Sequence, residues 1–326
     1  MQARRLGKTG WDVSEIGFGA WAIGGAWGET DEDVSLAAMH AAVDAGVTFL
    51  DTADVYGDGR SERLIARLLQ EREERLYVAT KFGRRAPLDP VLYTYENLRG
   101  WLERSRENLG VDAVDLVQLH CPPWETYYLP EVHEACDRLV QDGLVRAYGV
   151  SVEKVEQALK AIEYDGVATI QIIFNMLRQR PAELFFEQAK RRDVGVIVRV
   201  PLASGLLTGK FDRDSSFAVD DHRSYNRHGE EFDVGETFSG VDYELGLEVV
   251  EELRPLVPEG ATLAQLALRW ILTFDAVSTV IPGAKTPEQA KANAAAADLP
   301  APPPEAMGRI AEIYRERVAP LVHQRW

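Results

Sequence analysis

The chain has 326 residues, of which 46% are hydrophobic, 27% charged and 9% aromatic, a composition typical of a folded globular protein and unlike that of a disordered or collagen-like chain. Its 52 acidic residues outnumber its 36 lysines and arginines, and the resulting formal charge of −16 argues against binding to nucleic acid or to an anionic membrane. Two cysteines, Cys121 and Cys136, cannot build a disulfide framework and fit a reducing compartment, so we expect a cytoplasmic protein.

Targeting and membrane-spanning segments are not expected from the sequence. The first five residues precede no apolar signal-peptide core. The longest apolar stretch, residues 194–207, is interrupted by Arg199, Pro201 and two glycines, and it is too short to span a bilayer.

Short β-branched runs alternate with amphipathic stretches along the chain. Strands are predicted at residues 16–18, 47–50, 77–80, 114–119, 145–150, 168–173, 194–198 and 277–281. Helices are predicted at residues 31–45 (capped by Thr30 or Asp31), 61–69, 94–109, 130–142, 152–163, 181–192, 243–256, 262–274 and 287–297. The strands are continuously apolar, which is typical of a parallel sheet covered on both faces. Eight strand–helix units predict a single (β/α)₈ barrel domain over residues 1–326, in preference to an open doubly wound sheet.

Two segments lie outside this alternation. Residues 211–240 are polar and aperiodic, and a loop of this length is either a lid or substrate-pocket wall or a mobile surface loop. Near the C-terminus, a proline-rich linker at 301–304 leads to a last helix predicted at 305–318 and a tail that reaches Trp326.

Polar residues stand where the predicted strands end. In a (β/α)₈ barrel, catalytic groups come from the carboxyl ends of the strands, so these side chains are expected to converge. In chain order they are Asp51, Lys81, His120, Ser151, Gln171, Arg199 and the segment 283–286.

A tyrosine, a lysine, an aspartate and a histidine at one barrel mouth form an acid for a carbonyl oxygen. Free tyrosine has a pKa of about 10, and a neighbouring ammonium lowers it by favouring the phenolate. A carboxylate behind the lysine keeps the ammonium charged and oriented, and the histidine donates a hydrogen bond to the substrate oxygen. Because this set contains neither a nucleophile nor a metal, hydride has to come from a cofactor.

The chain resembles the aldo-keto reductase superfamily from its amino-terminal segment to Ala297. The resemblance rests on Asp51-Thr52-Ala53-x-x-Tyr56-Gly57, Thr80-Lys81, Leu119-His120, Gly149-Val150-Ser151 and Ile281-Pro282-Gly283-Ala284. It implies a catalytic tetrad of Asp51, Tyr56, Lys81 and His120, with Tyr56 as proton donor. The run from Pro201 to Lys210 is similar to the bacterial and potassium-channel-beta-like branches.

The same resemblance implies a nicotinamide cofactor and the residues that bind it. Trp21 and Asp51 are expected to border the nicotinamide, with Ser151 and Gln171 on its carboxamide. Arg199 stands where an aromatic residue usually stacks, and a guanidinium plane is also able to stack on a π face. Val152 replaces a common asparagine. The pyrophosphate is expected at Pro201, Leu202, Ser204, Gly205 and Lys210, and the adenosine end at Gly283, Lys285, Gln289 and Asn293. Lys285 is the best local cation for a 2′-phosphate, and a cation at this place favours NADPH over NADH.

Aromatic residues are expected to wall a pocket for a small carbonyl substrate, and no metal site is expected. The pocket set is Trp21, Trp27, Tyr56, His120 and Trp124. None of the six histidines forms a His-x-x-x-His pair, so zinc is disfavoured, and those other than His120 read as ordinary surface or loop residues.

The sequence therefore favours an NADPH-dependent reductase of aldehydes or ketones that acts reversibly. The alternative is a redox-sensing subunit that holds the same cofactor and turns over slowly, like the potassium-channel beta subunits that the segment near Pro201 resembles. A non-redox lyase or isomerase is disfavoured because the sequence shows no metal set and no pocket built only for a Schiff base. The natural substrate and the oligomeric state are left open.

Overall fold

The computed structural model describes residues 1–25 and 31–326. Within these residues, a short antiparallel hairpin of β1 (Ala3–Arg5) and β2 (Asp12–Ser14) precedes one parallel sheet of eight strands. The strands of this sheet are β3 (Phe18–Gly19), β4 (Phe49–Asp51), β5 (Tyr77–Phe82), β6 (Val114–His120), β7 (Val145–Ser151), β8 (Val167–Ile173), β9 (Gly195–Arg199) and β10 (Val277–Val280). Consecutive strands are neighbours, and parallel bridges from Ile16 to Val280 and from Gly19 to Gly283 close the sheet into a barrel. The predicted (β/α)₈ fold is confirmed.

Helices surround the barrel. They are α1 (Glu32–Asp44), α2 (Arg60–Glu71), α3 (Tyr95–Leu109), α4 (Pro130–Gln141), α5 (Val155–Ala161), α6 (Phe185–Arg191), α7 (His222–Tyr225), α8 (Tyr243–Leu253), α9 (Leu263–Ile271), α10 (Pro287–Ala295), α11 (Pro304–Ile313) and α12 (Ala319–Val322). Among the residues described, no helix is at once long and apolar enough to cross a membrane.

Local signals placed several helix ends correctly. The side chain of Asp31 caps α1 by accepting a hydrogen bond from the Val34 backbone amide, whereas Thr30, the other candidate cap, lies outside the described residues. Thr94 caps α3 in the same way, and Gly110 ends that helix in the left-handed conformation at φ 65°.

Several predicted helices have different bounds in the structure, and three of them illustrate the differences. The helix predicted from residue 152 begins at Val155, because Gln157 accepts hydrogen bonds from the backbone amides of Glu153 and Lys154 and fixes the start there. The helix predicted from 181 begins at Phe185, after a separate short turn that contains Pro181. The last helix, predicted to 318, changes at residues 314–318 into a wider π-helical turn.

Two layers of side chains fill the barrel, and strand periodicity separates them. An apolar layer includes Phe49, Ala79, Leu116 and Ile197, and it packs against Leu6 and Val13 of the hairpin segment, which covers the amino end of the barrel. Two residues further along the same strands come Asp51, Lys81, Gln118 and Arg199. Since alternate residues of a strand face the same side, these polar groups form the next layer, towards the carboxyl end.

Residues 211–240 are more structured than their sequence suggests. They contain α7 and short turns at 234–236 and 238–240, and they bury Asp221, Asn226 and Glu236. The segment thus packs as a wall at the carboxyl ends of the strands, which agrees with the predicted pocket wall and not with an exposed surface loop.

Candidate active site

Lys81 lies at the centre of the polar layer. Its side chain is 1% exposed, and its ammonium donates hydrogen bonds to Asp51 Oδ2 at 2.6 Å and to the backbone oxygen of Thr52 at 2.8 Å. The Tyr56 hydroxyl lies 3.4 Å from the same nitrogen. Three of the four predicted tetrad members are therefore in mutual contact through Lys81.

Two glutamines hold the Asp51 carboxylate from its other side. Gln171 Nε2 donates to Asp51 Oδ1 at 2.6 Å, and Gln118 Nε2 donates to the same oxygen at 3.3 Å. The sequence analysis missed Gln118, although strand periodicity places it on the same face as His120. Gln171, predicted to bind a carboxamide, uses its amide nitrogen on Asp51 in this structure.

Burial and neighbouring charges together set the protonation of Lys81 and Tyr56. Burial works against the Lys81 ammonium, but the charges of Asp51 and Tyr56 outweigh it, so the pKa of Lys81 is raised. Burial raises the pKa of Tyr56, and Lys81 offsets only part of this increase. Lys81 thus acts on the Tyr56 pKa in the expected direction, but burial outweighs it and the pKa lies above its usual value. The phenol keeps its proton at neutral pH, as a proton donor requires.

His120 completes the tetrad in its neutral form. Its ring lies edge-on to the Tyr56 ring, with centroids 6.0 Å apart. Burial, followed by the charges of Arg84, Lys81 and Arg199, holds the pKa of His120 well below its usual value. A neutral imidazole carries one N–H donor, which suits a hydrogen bond to a carbonyl oxygen.

The aromatic surroundings of Tyr56 match the predicted pocket in part. Trp21 stacks on Tyr56 at 6.1 Å and on His222 at 4.7 Å. Trp124 is 42% exposed and makes ring contacts with Tyr127 and Tyr128. Trp27 lies outside the described residues.

Two histidines correct the expectation that all except His120 are ordinary surface or loop residues. His222 is buried beside Trp21 within the 211–240 segment, and His133 is buried and stacks on Tyr164 at 3.7 Å. Both positions follow from packing between segments distant in sequence, which no local pattern reports.

A buried cluster of charges lies beside His120. Arg199 donates to Glu236 Oε2 at 2.6 Å and to the backbone oxygen of Val152 at 3.0 Å. Arg84 donates to the backbone oxygen of His120 at 3.3 Å and to Glu153 Oε1 at 3.1 Å, and it lies 3.6 Å from Glu236. Of this cluster the sequence analysis identified Arg199 alone. Arg84 and Glu153 each follow a strand end closely, a signal that could have found them, whereas Glu236 carried none.

Cys121, Glu153 and Glu236 are the candidate metal ligands that the described residues bring together, with donor atoms within 4.8 Å of one another. Both carboxylates already accept hydrogen bonds from arginines, Glu153 from Arg84 and Glu236 from Arg199. A cation at this place would have to displace two guanidinium groups, so we assign the cluster no metal.

The segment after β9 has the strained backbone that a close approach to a ligand requires. Ser204 and Gly205 adopt positive φ values of 55° and 99°. The Ser204 hydroxyl donates to the Glu236 backbone oxygen at 2.9 Å and accepts from the Phe238 amide at 3.0 Å, so it braces the 211–240 segment. Pro201 is buried, Leu202 is half-buried and Lys210 is exposed.

The predicted adenosine end gathers around the start of α10. Gln289 accepts a hydrogen bond from the Lys285 amide at 2.8 Å, and Asn293 donates to the Gly283 backbone oxygen at 3.1 Å. Burial and the charge of Arg223 lower the pKa of Lys285, against the opposing effect of Asp221. Arg223 itself pairs with Asp221 at 2.6 Å, so this end of the barrel holds the cations Lys285 and Arg223 beside one buried carboxylate.

Two cavities lie at the opposite end of the barrel, where the strands begin. They measure about 540 and 290 Å³ and are lined by residues such as Trp11, Tyr148 and Arg146, with no member of the tetrad. Among the described residues, the predicted tetrad brings together groups able to move a proton, so we favour it over these cavities as the candidate active site.

Comparison with known proteins agrees with this geometry. The Aldo/keto reductase family profile matches residues 15–315. The aldo-keto reductase YhdN of Bacillus subtilis is 31% identical over 303 residues, covering 90% of this chain and 87% of that protein. A probable voltage-gated potassium channel subunit beta of Oryza sativa is 30% identical over 339 residues, covering 97% and 98%.

Solved structures give the same result. The glycerol dehydrogenase AKR11B4 of Gluconobacter oxydans superposes with a TM-score of 0.79 at 29% identity, covering 97% of this chain and 96% of that one. The family match spans nearly the whole barrel and includes every strand that contributes to the site. The chain therefore belongs to the aldo/keto reductase family of oxidoreductases.

Proposed function

We propose that this oxidoreductase reduces the carbonyl group of a small aldehyde or ketone to an alcohol, reversibly, with NADPH as the hydride donor. The observation that carries the proposal is the contact of one buried ammonium, Lys81, with both the Asp51 carboxylate and the Tyr56 hydroxyl. This arrangement supplies a proton to an oxygen and lacks any group that would itself reduce carbon.

Each tetrad residue has a role that its contacts support. Tyr56 donates its proton to the oxygen that gains negative charge, and Lys81 beside it stabilises the phenolate left behind. Asp51 keeps Lys81 charged and fixed in place. His120, neutral and close to the Tyr56 ring, donates a hydrogen bond that orients the substrate carbonyl.

The donor groups at the barrel mouth fit a nicotinamide dinucleotide. Ser151 and Gln171 are register partners on adjacent strands, so their polar side chains lie side by side for a carboxamide. In the described part of the chain, His120 Nδ1 and Arg199 Nε are buried without hydrogen-bond partners. Lys285 and Arg223 supply cations for phosphate, which favours NADPH over NADH. When bound, the cofactor supplies hydride.

Replacement of Tyr56 by phenylalanine tests this function. We expect wild-type protein to oxidise NADPH over many turnovers with members of an aldehyde panel. Y56F should lose at least about a hundredfold in kcat while its NADPH dissociation constant stays within about twofold. Tyr128→Phe, at an exposed tyrosine, is the matched control and should behave as wild type. Undiminished turnover by Y56F would refute the assignment.

A second candidate is a redox-sensing subunit that turns over slowly. The observation that favours it is the similarity of this chain to a plant protein described as a probable voltage-gated potassium channel subunit beta. The alignment with that protein covers 97% of this chain. One experiment separates the two candidates. Rapid mixing of the protein with NADPH and aldehyde gives a single turnover without a steady state for a sensor, and sustained NADPH oxidation for a reductase.

A further inference from the structure

Trp326, the last residue of the sequence, contacts residues that border the charge cluster beside His120. Its indole N–H donates to Asp233 Oδ1 at 2.8 Å, and the Arg178 guanidinium lies over its ring at 4.4 Å. Trp326 is 4% exposed. Two glycines make room for the indole, because a Cβ on Gly240 or Gly235 would lie 2.2 or 2.8 Å from its ring atoms.

Asp233 connects Trp326 to Glu236 through hydrogen bonds. The same Oδ1 atom accepts the Gly235 amide at 2.7 Å, and the Asp233 backbone oxygen accepts the Glu236 amide at 3.0 Å. These bonds form the tight turn at 234–236. Trp326 therefore helps to position Glu236 through the turn that Asp233 caps, together with the Ser204 hydroxyl that bonds to the Glu236 backbone oxygen.

Glu236 is the closest counter-charge of Arg199. Its carboxylate lies 2.6 Å from Arg199 and 3.6 Å from Arg84, and all three groups are buried or nearly so. Glu153, on the other side of Arg84, brings the cluster to two cations and two anions when it is ionised, and the adjoining Arg178 and Asp233 add one charge of each sign. Replacing Glu236 with a neutral residue would leave this site with one uncompensated positive charge.

We propose that Glu236, positioned by Trp326 through Asp233, neutralises Arg199 and thereby sets the relative affinity of the site for oxidised and reduced nicotinamide. This inference rests on the proposed function, because it takes Arg199 to border the nicotinamide. The oxidised ring carries a positive charge that the reduced ring lacks. An unpaired Arg199 would repel the oxidised ring alone. The repulsion between two unit charges about 4 Å apart in a partly buried site is several times the thermal energy.

The phosphates provide an internal reference for this effect. NADP⁺ and NADPH carry the same pyrophosphate and 2′-phosphate, so any change in attraction for the phosphates alters both dissociation constants equally. The ratio of the two constants isolates the charge of the ring. A general loss of structure likewise weakens both forms and leaves their ratio unchanged.

The test is to measure dissociation constants for NADP⁺ and NADPH by isothermal titration calorimetry with wild type, E236Q and W326F. Glu236→Gln keeps the size of the side chain and one oxygen for Arg199, and it replaces the charged carboxylate with a neutral amide. Trp326→Phe keeps an aromatic ring beside Arg178, and it removes the N–H that holds Asp233 together with part of the indole that packs against Gly240. The measurements are made at about pH 8.5, where Glu153, whose pKa burial raises to about 7, is ionised.

Two controls match the variants. Glu230→Gln removes an exposed charge from the same segment, and Gln324→Ala truncates an exposed residue two positions before Trp326. Both should leave the ratio of the dissociation constants within about twofold of wild type.

We expect E236Q to raise the ratio of the NADP⁺ to the NADPH dissociation constant at least about tenfold, and W326F to raise it about threefold. An unchanged ratio, or equal weakening of both cofactors, in E236Q overturns the proposal. If E236Q does not fold, W326F decides by the same criterion. Failure of wild type to bind either cofactor overturns the proposed function, and the inference with it. Normal wild-type binding with an unchanged ratio overturns the inference alone.

Discussion

Gly24 packs directly against the backbone of Tyr56. A Cβ placed on Gly24 would lie 2.8 Å from the Tyr56 Cβ and 2.9 Å from its carbonyl carbon, closer than van der Waals contact allows. The segment before α1 thus lies in close contact with Tyr56, the residue that we propose as proton donor. The missing side chain at Gly24 allows the Tyr56 backbone to take its position.

Substitution of Gly24 by alanine should therefore impair catalysis more than folding. The added methyl group has to push the Tyr56 backbone away, and a misplaced proton donor is costly because orientation supplies much of the rate. We expect kcat to fall at least about tenfold, measured by NADPH oxidation. Gly100→Ala is the control, since a Cβ at that α3 position meets nothing within 4 Å. G100A should keep full activity and gain up to about 1 kcal/mol of stability. Equal activity of G24A and wild type would contradict the prediction.

Removal of Lys81 should destabilise the protein as well as inactivate it. Lys81→Met leaves the Asp51 carboxylate buried with only amide partners, and breaking one side of a buried ion pair costs about 3–5 kcal/mol. Urea unfolding measures the loss. The control is Lys190→Met, which removes an exposed lysine paired with Asp275 and should cost less than about 1 kcal/mol. Similar losses in the two variants would argue against a strongly coupled Lys81–Asp51 pair.

Asp54 should make stability depend on pH. Neither of its carboxylate oxygens has a hydrogen-bond partner in the described residues, and burial, with the Glu62 charge, raises its pKa from 3.8 to about 7. The folded state therefore binds this proton more tightly than the unfolded state. Between about pH 4 and 7 the unfolded chain holds fewer protons at this site, so the free energy of unfolding falls as pH rises.

Asp54→Asn mimics the protonated form and should relieve this penalty. The free energy of unfolding of D54N should nearly equal that of wild type at about pH 4 and should exceed it by about 2–4 kcal/mol at about pH 8, as measured by urea unfolding. Asp112→Asn, at an exposed position, should show no such trend. A difference between D54N and wild type that shrinks with increasing pH would reverse the sign and refute the argument.

Lys285 should determine the preference for NADPH over NADH. Lys285→Ala removes one of two cations that meet near the start of α10, and only NADPH carries a 2′-phosphate. We expect the dissociation constant for NADPH to rise about tenfold and that for NADH to change less than twofold. Lys291→Ala, an exposed lysine further along α10, is the control. An equal effect on both cofactors would assign Lys285 to the pyrophosphate instead.

Periodicity carried the prediction of the fold, and the resemblance to the aldo-keto reductases supplied the tetrad. Continuous apolar strands separated by capped helices indicate a parallel barrel. In such a barrel Asp51, Lys81 and His120 have to converge, because each stands at a strand end. Boundaries were less predictable where one side chain decides them, as Gln157 does at the start of α5.

The pairing of charges within the cluster was beyond local patterns. Glu236 lies in a segment without periodicity, and its contact with Arg199 joins residues 37 positions apart. Trp326 contacts Asp233 across 93 positions. Nothing in either stretch of sequence indicates its partner, since loop closure over such distances depends on the packing of the elements between them.

The sequence by itself determined the eightfold repeat, the alternation that puts an apolar layer beneath a polar one, and the residues available to the tetrad. These are properties of neighbours along the chain, set by backbone geometry and side-chain chemistry. Only the tertiary structure decided which charges are paired, that burial outweighs Lys81 in setting the pKa of Tyr56, and that Trp326 contacts Asp233. Solvent exclusion and long-range contacts exist only once the barrel has closed.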